Sequence, residues 1–129
     1  MKYDEICTIE TRWVSDVFEI EIKGRLTYEN VQKLKDTVGS KICESQYYMI
    51  NLSQTSRMDS TGLGLFIAIV RNYLLKSSKL VVVNSNPNIQ ELFVVSRLNV
   101  YFAMVEHRDE AFKLLYDKDH EAWKKILHV

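Results

Sequence analysis

The chain is poor in the residues that mark several classes of protein. It has one proline and four glycines in 129 residues. No Gly/Ser-rich linker, low-complexity tract or internal repeat divides it. Its two cysteines, Cys7 and Cys43, lie in unrelated segments and outside any C-x-x-C pair. That spacing speaks against a zinc site or a redox motif, and both thiols read as reduced and half-buried, in a reducing compartment. Excess charge is also missing, since seventeen Lys plus Arg balance seventeen Asp plus Glu. A neutral chain carries no global positive field for nucleic acid or an anionic membrane. The longest apolar run, Leu63 to Val70, is broken by Gly64. It falls far short of the roughly 20 residues that span a bilayer. The acidic pair Asp4-Glu5 stands where a signal peptide needs apolar residues. The expectation is a cytoplasmic protein with no direct membrane insertion and no nucleic-acid partner.

What is present suits one domain. Hydrophobic residues make up 47% and charged residues 26%, ordinary for a globular chain. Ile6 to Val14 and Val17 to Lys23 flank Ser15-Asp16, a turn. In the second run Phe18, Ile20 and Ile22 alternate with Glu19, Glu21 and Lys23, which predicts one buried and one wet face. Thr27 is placed to cap a helix carrying Val31, Leu34, Val38 and Ile42 at helical spacing. Tyr47 to Leu52 is a mostly apolar strand. A helix apolar almost all round runs from near Ser60 to about Lys76, and such a helix is heavily covered. Leu80 to Val83 reads as a central strand. Asn86-Pro87 starts a third helix, with Ile89, Leu92, Phe93 and Ser96 on one face. Phe102 to Val105 is a last strand, and Asp109 to Tyr116 a last helix. The order predicts an α/β fold: a mixed, mostly parallel sheet of about five strands, opened by a β-hairpin, with four helices largely on one face.

The stretch from Ile50 to Leu65 passes from strand through a polar loop to a helix N-terminus. A serine there is reachable by another protein. The helix dipole favours added negative charge beside it, by about 0.3–1 kcal/mol. Gly62 and Gly64 each cost a helix roughly 1 kcal/mol against alanine. Two in a first turn make sense where a second backbone approaches closely. Spacing alone leaves two readings open. One is an ordinary helix capped by Asp59 or Ser60, with glycines that merely pack. The other is a phosphorylation site.

Met58-Asp59-Ser60-Thr61-Gly62-Leu63-Gly64, following Asn51-Leu52-Ser53, resembles the signature of STAS domains. It is most similar to that of the bacterial anti-sigma factor antagonists, whose motif runs Asp-Ser-Ser/Thr-Gly-Leu-Gly. Gly24-Arg25-Leu26 and Ser96-Arg97-Leu98 fall where that family has Gly-x-Leu/Ile and Ser-Gly-Leu. The resemblance runs from Ile6 to about Tyr116. It implies a STAS domain over residues 1–116. The charged tail over 117–129 exceeds the minimal domain, and Ala122, Trp123, Ile126 and Leu127 at helical spacing predict a helical C-terminal extension there. The resemblance implies that Ser60, or failing it Thr61, is phosphorylated by an ATPase-type serine kinase that is also an anti-sigma factor. The unphosphorylated protein would bind that kinase and free a sigma factor, and a phosphoserine phosphatase would reset it. The implied partner surface comprises Thr27, Arg57, Met58, Asp59, Ser60, Thr61, Gly62, Leu63 and Gly64. Asp59 would orient the loop, and Arg57 would read a kinase-bound nucleotide or an acidic partner residue. Two residues depart from the family pattern: Thr27 replaces an aspartate and Arg97 a glycine. The alternative within the same family is an unphosphorylated scaffold subunit of a membrane transport or other regulatory complex.

Other chemistry finds little support. His107, His120 and His128 pair with no Cys or His at ligand spacing. Ser60 lacks the Gly-x-Ser-x-Gly setting of a hydrolase nucleophile. No P-loop or Gly-x-Gly-x-x-Gly is present. Trp13, Tyr47, Tyr48, Phe66 and Phe93 read as core or half-core residues rather than a base-stacking platform. Neither an enzyme, a cofactor nor a metal is expected.

Overall fold

The computed structural model describes residues 7–41, 47–71, 79–98 and 102–116. The expected hairpin is β1 (Cys7–Val14) and β2 (Val17–Leu26), antiparallel and in register from Cys7 opposite Gly24 to Val14 opposite Val17. Ser15 turns the chain in the left-handed region, at φ 56°. Then come α1 (Val31–Lys41), β3 (Tyr47–Asn51), β4 (Thr55–Met58) and α2 (Ser60–Ile69). They are followed by β5 (Lys79–Val83), α3 (Pro87–Val95), β6 (Ala103–Val105) and α4 (Arg108–Leu115). The sheet order is β1-β2-β3-β5-β6, with β4 pairing β2 beyond the end of β3. All pairs after the hairpin are parallel. The expected α/β class and mixed, mostly parallel sheet hold.

The sheet has six strands rather than about five. The extra one, β4, arises inside the segment read as a loop, because Thr55 and Met58 are buried among its polar neighbours. Four polar-rich residues carry too little periodicity to announce a strand.

Two cores flank the sheet. On one face Phe18, Ile20, Ile22, Ile50, Leu80 and Val82 meet Leu34 of α1, Phe66 of α2 and Val70 at its end, and Ile89 and Phe93 of α3. Phe66, Phe93 and Phe102 form an aromatic cluster with centroids 5.1–5.9 Å apart. On the other face Val17, Met49, Val81, Val83 and Ala103 meet Ala111 and Leu115 of α4. Three helices thus share one face and α4 covers the other. Both faces being covered explains the unbroken Leu80–Val83 run.

That second face corrects the reading of β2. Glu19 and Glu21 were expected to be wet, yet both are buried, Glu19 completely. Arg108, at the start of α4, donates to both Glu19 carboxylate oxygens at 2.7 and 3.0 Å. Asn51 donates to Glu19 at 3.1 Å, and Arg12 lies 3.2 Å from it. Burial pushes the Glu19 carboxyl up, but Arg108, Asn51 and Arg12 more than reverse this and hold it below the usual carboxylate range. Cys7 is fully buried rather than half-buried, and burial raises its thiol pKa. Cys43, Ile42, the expected end of α2 near Lys76 and the 117–129 extension lie outside the described residues.

Candidate functional site

Parallel pairing brings the C-terminal ends of β2 and β4 out side by side, with Leu26 opposite Met58. The loops that leave them therefore meet. Asp59 joins the two. Its backbone N–H donates to the Leu26 carbonyl at 3.4 Å. Its Oδ2 accepts from the Tyr28 N–H at 3.1 Å. Its Oδ1 accepts from the Gly62 N–H at 2.8 Å and so caps α2. The cap is Asp59, not Ser60, and the Asp59 carboxylate ties the turn after β2 to the first turn of α2. Partial burial raises the Asp59 carboxyl. The N–H groups of Gly62, Tyr28 and Thr61, with the charge of Arg25, outweigh this and hold it below the usual range. Asp59 is ionised at neutral pH.

Ser60 is the first residue of α2, and both it and Thr61 are exposed. Gly62 sits beneath the β2 backbone, the close approach expected of it. Gly64 does not share that role, since a Cβ there would meet nothing within 4 Å. Met58 points into the core, Leu63 is half-buried, and Arg57 and Gly64 are exposed.

Thr27 behaves differently from its sequence expectation. Helix α1 starts at Val31, after a turn in which the Thr27 carbonyl accepts from the Asn30 N–H at 2.8 Å. The Thr27 side chain is only 3% exposed, and its hydroxyl has no hydrogen-bond partner among the described residues. It caps nothing. The surface next to Ser60 is supplied instead by Tyr28, 67% exposed, whose N–H is tied to Asp59. The sequence placed Thr27 on this surface but did not single out Tyr28. Its large aromatic ring in a polar turn was the available signal. Among the described residues no group of three His, Cys, Asp or Glu is placed to hold a metal ion.

Residues 8–111 match the family model of the STAS domain. The chain belongs to the STAS domain family. It is 30% identical over 91 residues to the anti-sigma-B factor antagonist of Staphylococcus epidermidis, covering 70% of this chain and 84% of that one. Its fold is similar to an anti-sigma factor antagonist from Mycobacterium paratuberculosis, with a TM-score of 0.80 and 19% identity over 90% of this chain and 98% of that one. It is also similar to the phosphorylated form of the Bacillus cell fate determinant SpoIIAA, with a TM-score of 0.63 and 20% identity over 83% and 98%. A sulfate transporter family protein from Wolinella succinogenes shares the fold too, with a TM-score of 0.68 and 12% identity over 81% and 88%. These structural likenesses establish the fold that the STAS chain adopts. No helix among the described residues is long and apolar enough to cross a membrane.

Proposed function

We propose that this STAS protein is an anti-sigma factor antagonist, a protein-binding module rather than an enzyme, switched by phosphorylation of Ser60. The observation that carries the reading is the placement of Ser60, exposed and directly after the Asp59 cap that ties two loops together. The 30% identity to an anti-sigma-B factor antagonist supports it. In this reading the unphosphorylated protein binds an ATPase-type serine kinase that doubles as an anti-sigma factor. A phosphatase restores the binding form. The STAS unit ends near residue 116 and acts in the cytoplasm, and residues 117–129 are an appended segment.

The local physics explains the switch. An N-terminal phosphate usually settles on free helix N–H groups. Here Asp59 already occupies the Gly62 N–H. A phosphate on Ser60, worth about −1.5 to −2 charges at pH 7, is repelled by that carboxylate and must face outward. Set into a close interface, it adds desolvation cost and repulsion. Thr27, Met58 and Gly62 shape the surface from beneath, while Tyr28, Arg57, Ser60 and Thr61 form it.

The test is a pull-down from lysate of the source cell with the native chain, Ser60→Ala and Ser60→Asp as baits, partners being identified by mass. An ATPase-type kinase held by the first two and lost by the third supports the switch. The same membrane or scaffold partner on all three baits replaces it with the scaffold reading.

A further inference from the structure

Arg25 and Arg57 stand directly opposite each other on the parallel strands β2 and β4. Like charges in that relation destabilise a sheet. Of the acidic side chains nearby, Asp59 feels the charge of Arg25 but forms no ion pair with it. Glu10 and Glu21 are bridged by Arg12 and approached by Lys23, and Glu19 is held by Arg12 and Arg108. The Asp59 oxygens accept from backbone N–H groups. Neither Arg25 nor Arg57 makes an ion pair with any described residue.

Arg25 is also left short of a hydrogen bond. It is half-buried, and its Nε is sealed from solvent with no acceptor among the described residues. A donor in that state costs more than an ordinary hydrogen bond gains.

The pairing depends on an irregularity. Gly24 lies opposite Thr55, but Arg25 lies opposite Arg57, so Ser56 is skipped. Gly24 makes the shift at φ 92°, open to glycine and rarely to other residues. Bulges of this kind re-aim side chains. Leu26 and Met58 then enter the core, so the residue before each faces the opposite side of the sheet. Two arginines are thus set side by side at the strand ends that lead into Tyr28 and Ser60.

We propose that Arg25 and Arg57 form an anion clamp that receives acidic side chains of the protein partner docking at the Ser60 surface. A guanidinium presents parallel N–H donors that match a carboxylate. A partner carboxylate would relieve the like-charge pairing of the two guanidinium groups. The occupant is an acidic protein segment because the clamp lies on the surface that the antagonist reading assigns to a protein, and the proposal rests on that reading.

The experiment is an NMR titration of the full chain with a hexaglutamate peptide, a hexaglutamine peptide and inorganic phosphate. Arg25→Gln, Arg57→Gln and the double variant are titrated in parallel. Hexaglutamate is expected to give saturable shifts at the amides of residues 24–28 and 57–62. Binding should weaken roughly tenfold in each single variant and vanish in the double variant, whose dispersed spectrum reports an intact fold. Hexaglutamine should shift nothing. Hexaglutamate shifts that are absent, or unchanged in the double variant, overturn the clamp. Inorganic phosphate binding there as tightly as hexaglutamate overturns its assignment to an acidic protein segment. The Ser60 pull-down reads the switch separately, so loss of the clamp and loss of the antagonist reading give different results.

Discussion

A Cβ placed on Gly62 would lie 2.1 Å from the Leu26 carbonyl oxygen and 2.9 Å from its carbonyl carbon. Both are backbone atoms of β2, and that same oxygen accepts the Asp59 N–H. The helix cannot retreat without loosening the tie between the two loops. Gly62→Ala would gain roughly 1 kcal/mol of helix propensity. The forced displacement, typically about 1–3 kcal/mol for an overpacked site, outweighs it, and the variant is expected to be less stable. Gly64→Ala is the matched control, because its new methyl meets open space. It is expected to raise stability by up to about 1 kcal/mol. Urea midpoints of the two variants should move in opposite directions; parallel movement would show that the contact between α2 and β2 does not govern this turn.

Glu19 is the second test of the packing. Its carboxylate is fully buried on the α4 face and held by Arg108, Asn51 and Arg12. Glu19→Gln leaves Arg108 without its charge partner, while Arg12 keeps Glu10 and Glu21, and breaking a buried pair costs about 3–5 kcal/mol. Both arginines reach solvent in part, so the expected loss sits at or below the low end. Glu10→Gln removes a surface pair whose worth is about 0–1 kcal/mol. The folded-state pKa of Glu19 is depressed, against burial, by Arg108, Asn51 and Arg12. Its stabilisation is therefore present above the unfolded carboxylate value of about 4.3. It is lost as pH falls through the lower folded value. Urea unfolding from pH 7 down to 3 should show the native chain losing stability faster than Glu19→Gln. Equal slopes would show that Glu19 has no part in acid unfolding.

The limits of sequence reading follow from what periodicity measures. Asn86 and Pro87 were legible because cap chemistry is local, and the Asn86 side chain does accept from the Asn88 N–H at 3.0 Å. The Met58–Gly64 loop was legible because the motif is contiguous. Glu19 was not, because alternation reports which face a residue takes and not what covers that face. Its cover, α4, arrives 89 residues later. Thr27 misled for a related reason. A threonine before a helical pattern looks like a cap, yet the turn through Asn30 delays the helix and leaves the hydroxyl buried. The Arg25–Arg57 pairing depends on a skipped residue that neither strand's own sequence marks.

Arg97 carries a cost that glycine would remove. It follows α3 with φ 61°, and its N–H donates to the Val94 carbonyl at 3.1 Å while Leu98 turns into the core. This is the left-handed residue that commonly ends a helix, and glycine is its usual occupant. The turn forms here in spite of the arginine. A side chain held in that region costs roughly 1–2 kcal/mol. The greater freedom of glycine in the unfolded chain offsets part of the gain. The arginine side chain is exposed and makes no ion pair with a described residue, so little contact is lost. Arg97→Gly is expected to raise stability by about 0.5–1 kcal/mol, and Arg97→Val to lower it, since β-branched residues avoid positive φ. Both are read from urea midpoints. A valine variant as stable as the glycine variant would mean that α3 does not end in a left-handed turn at residue 97.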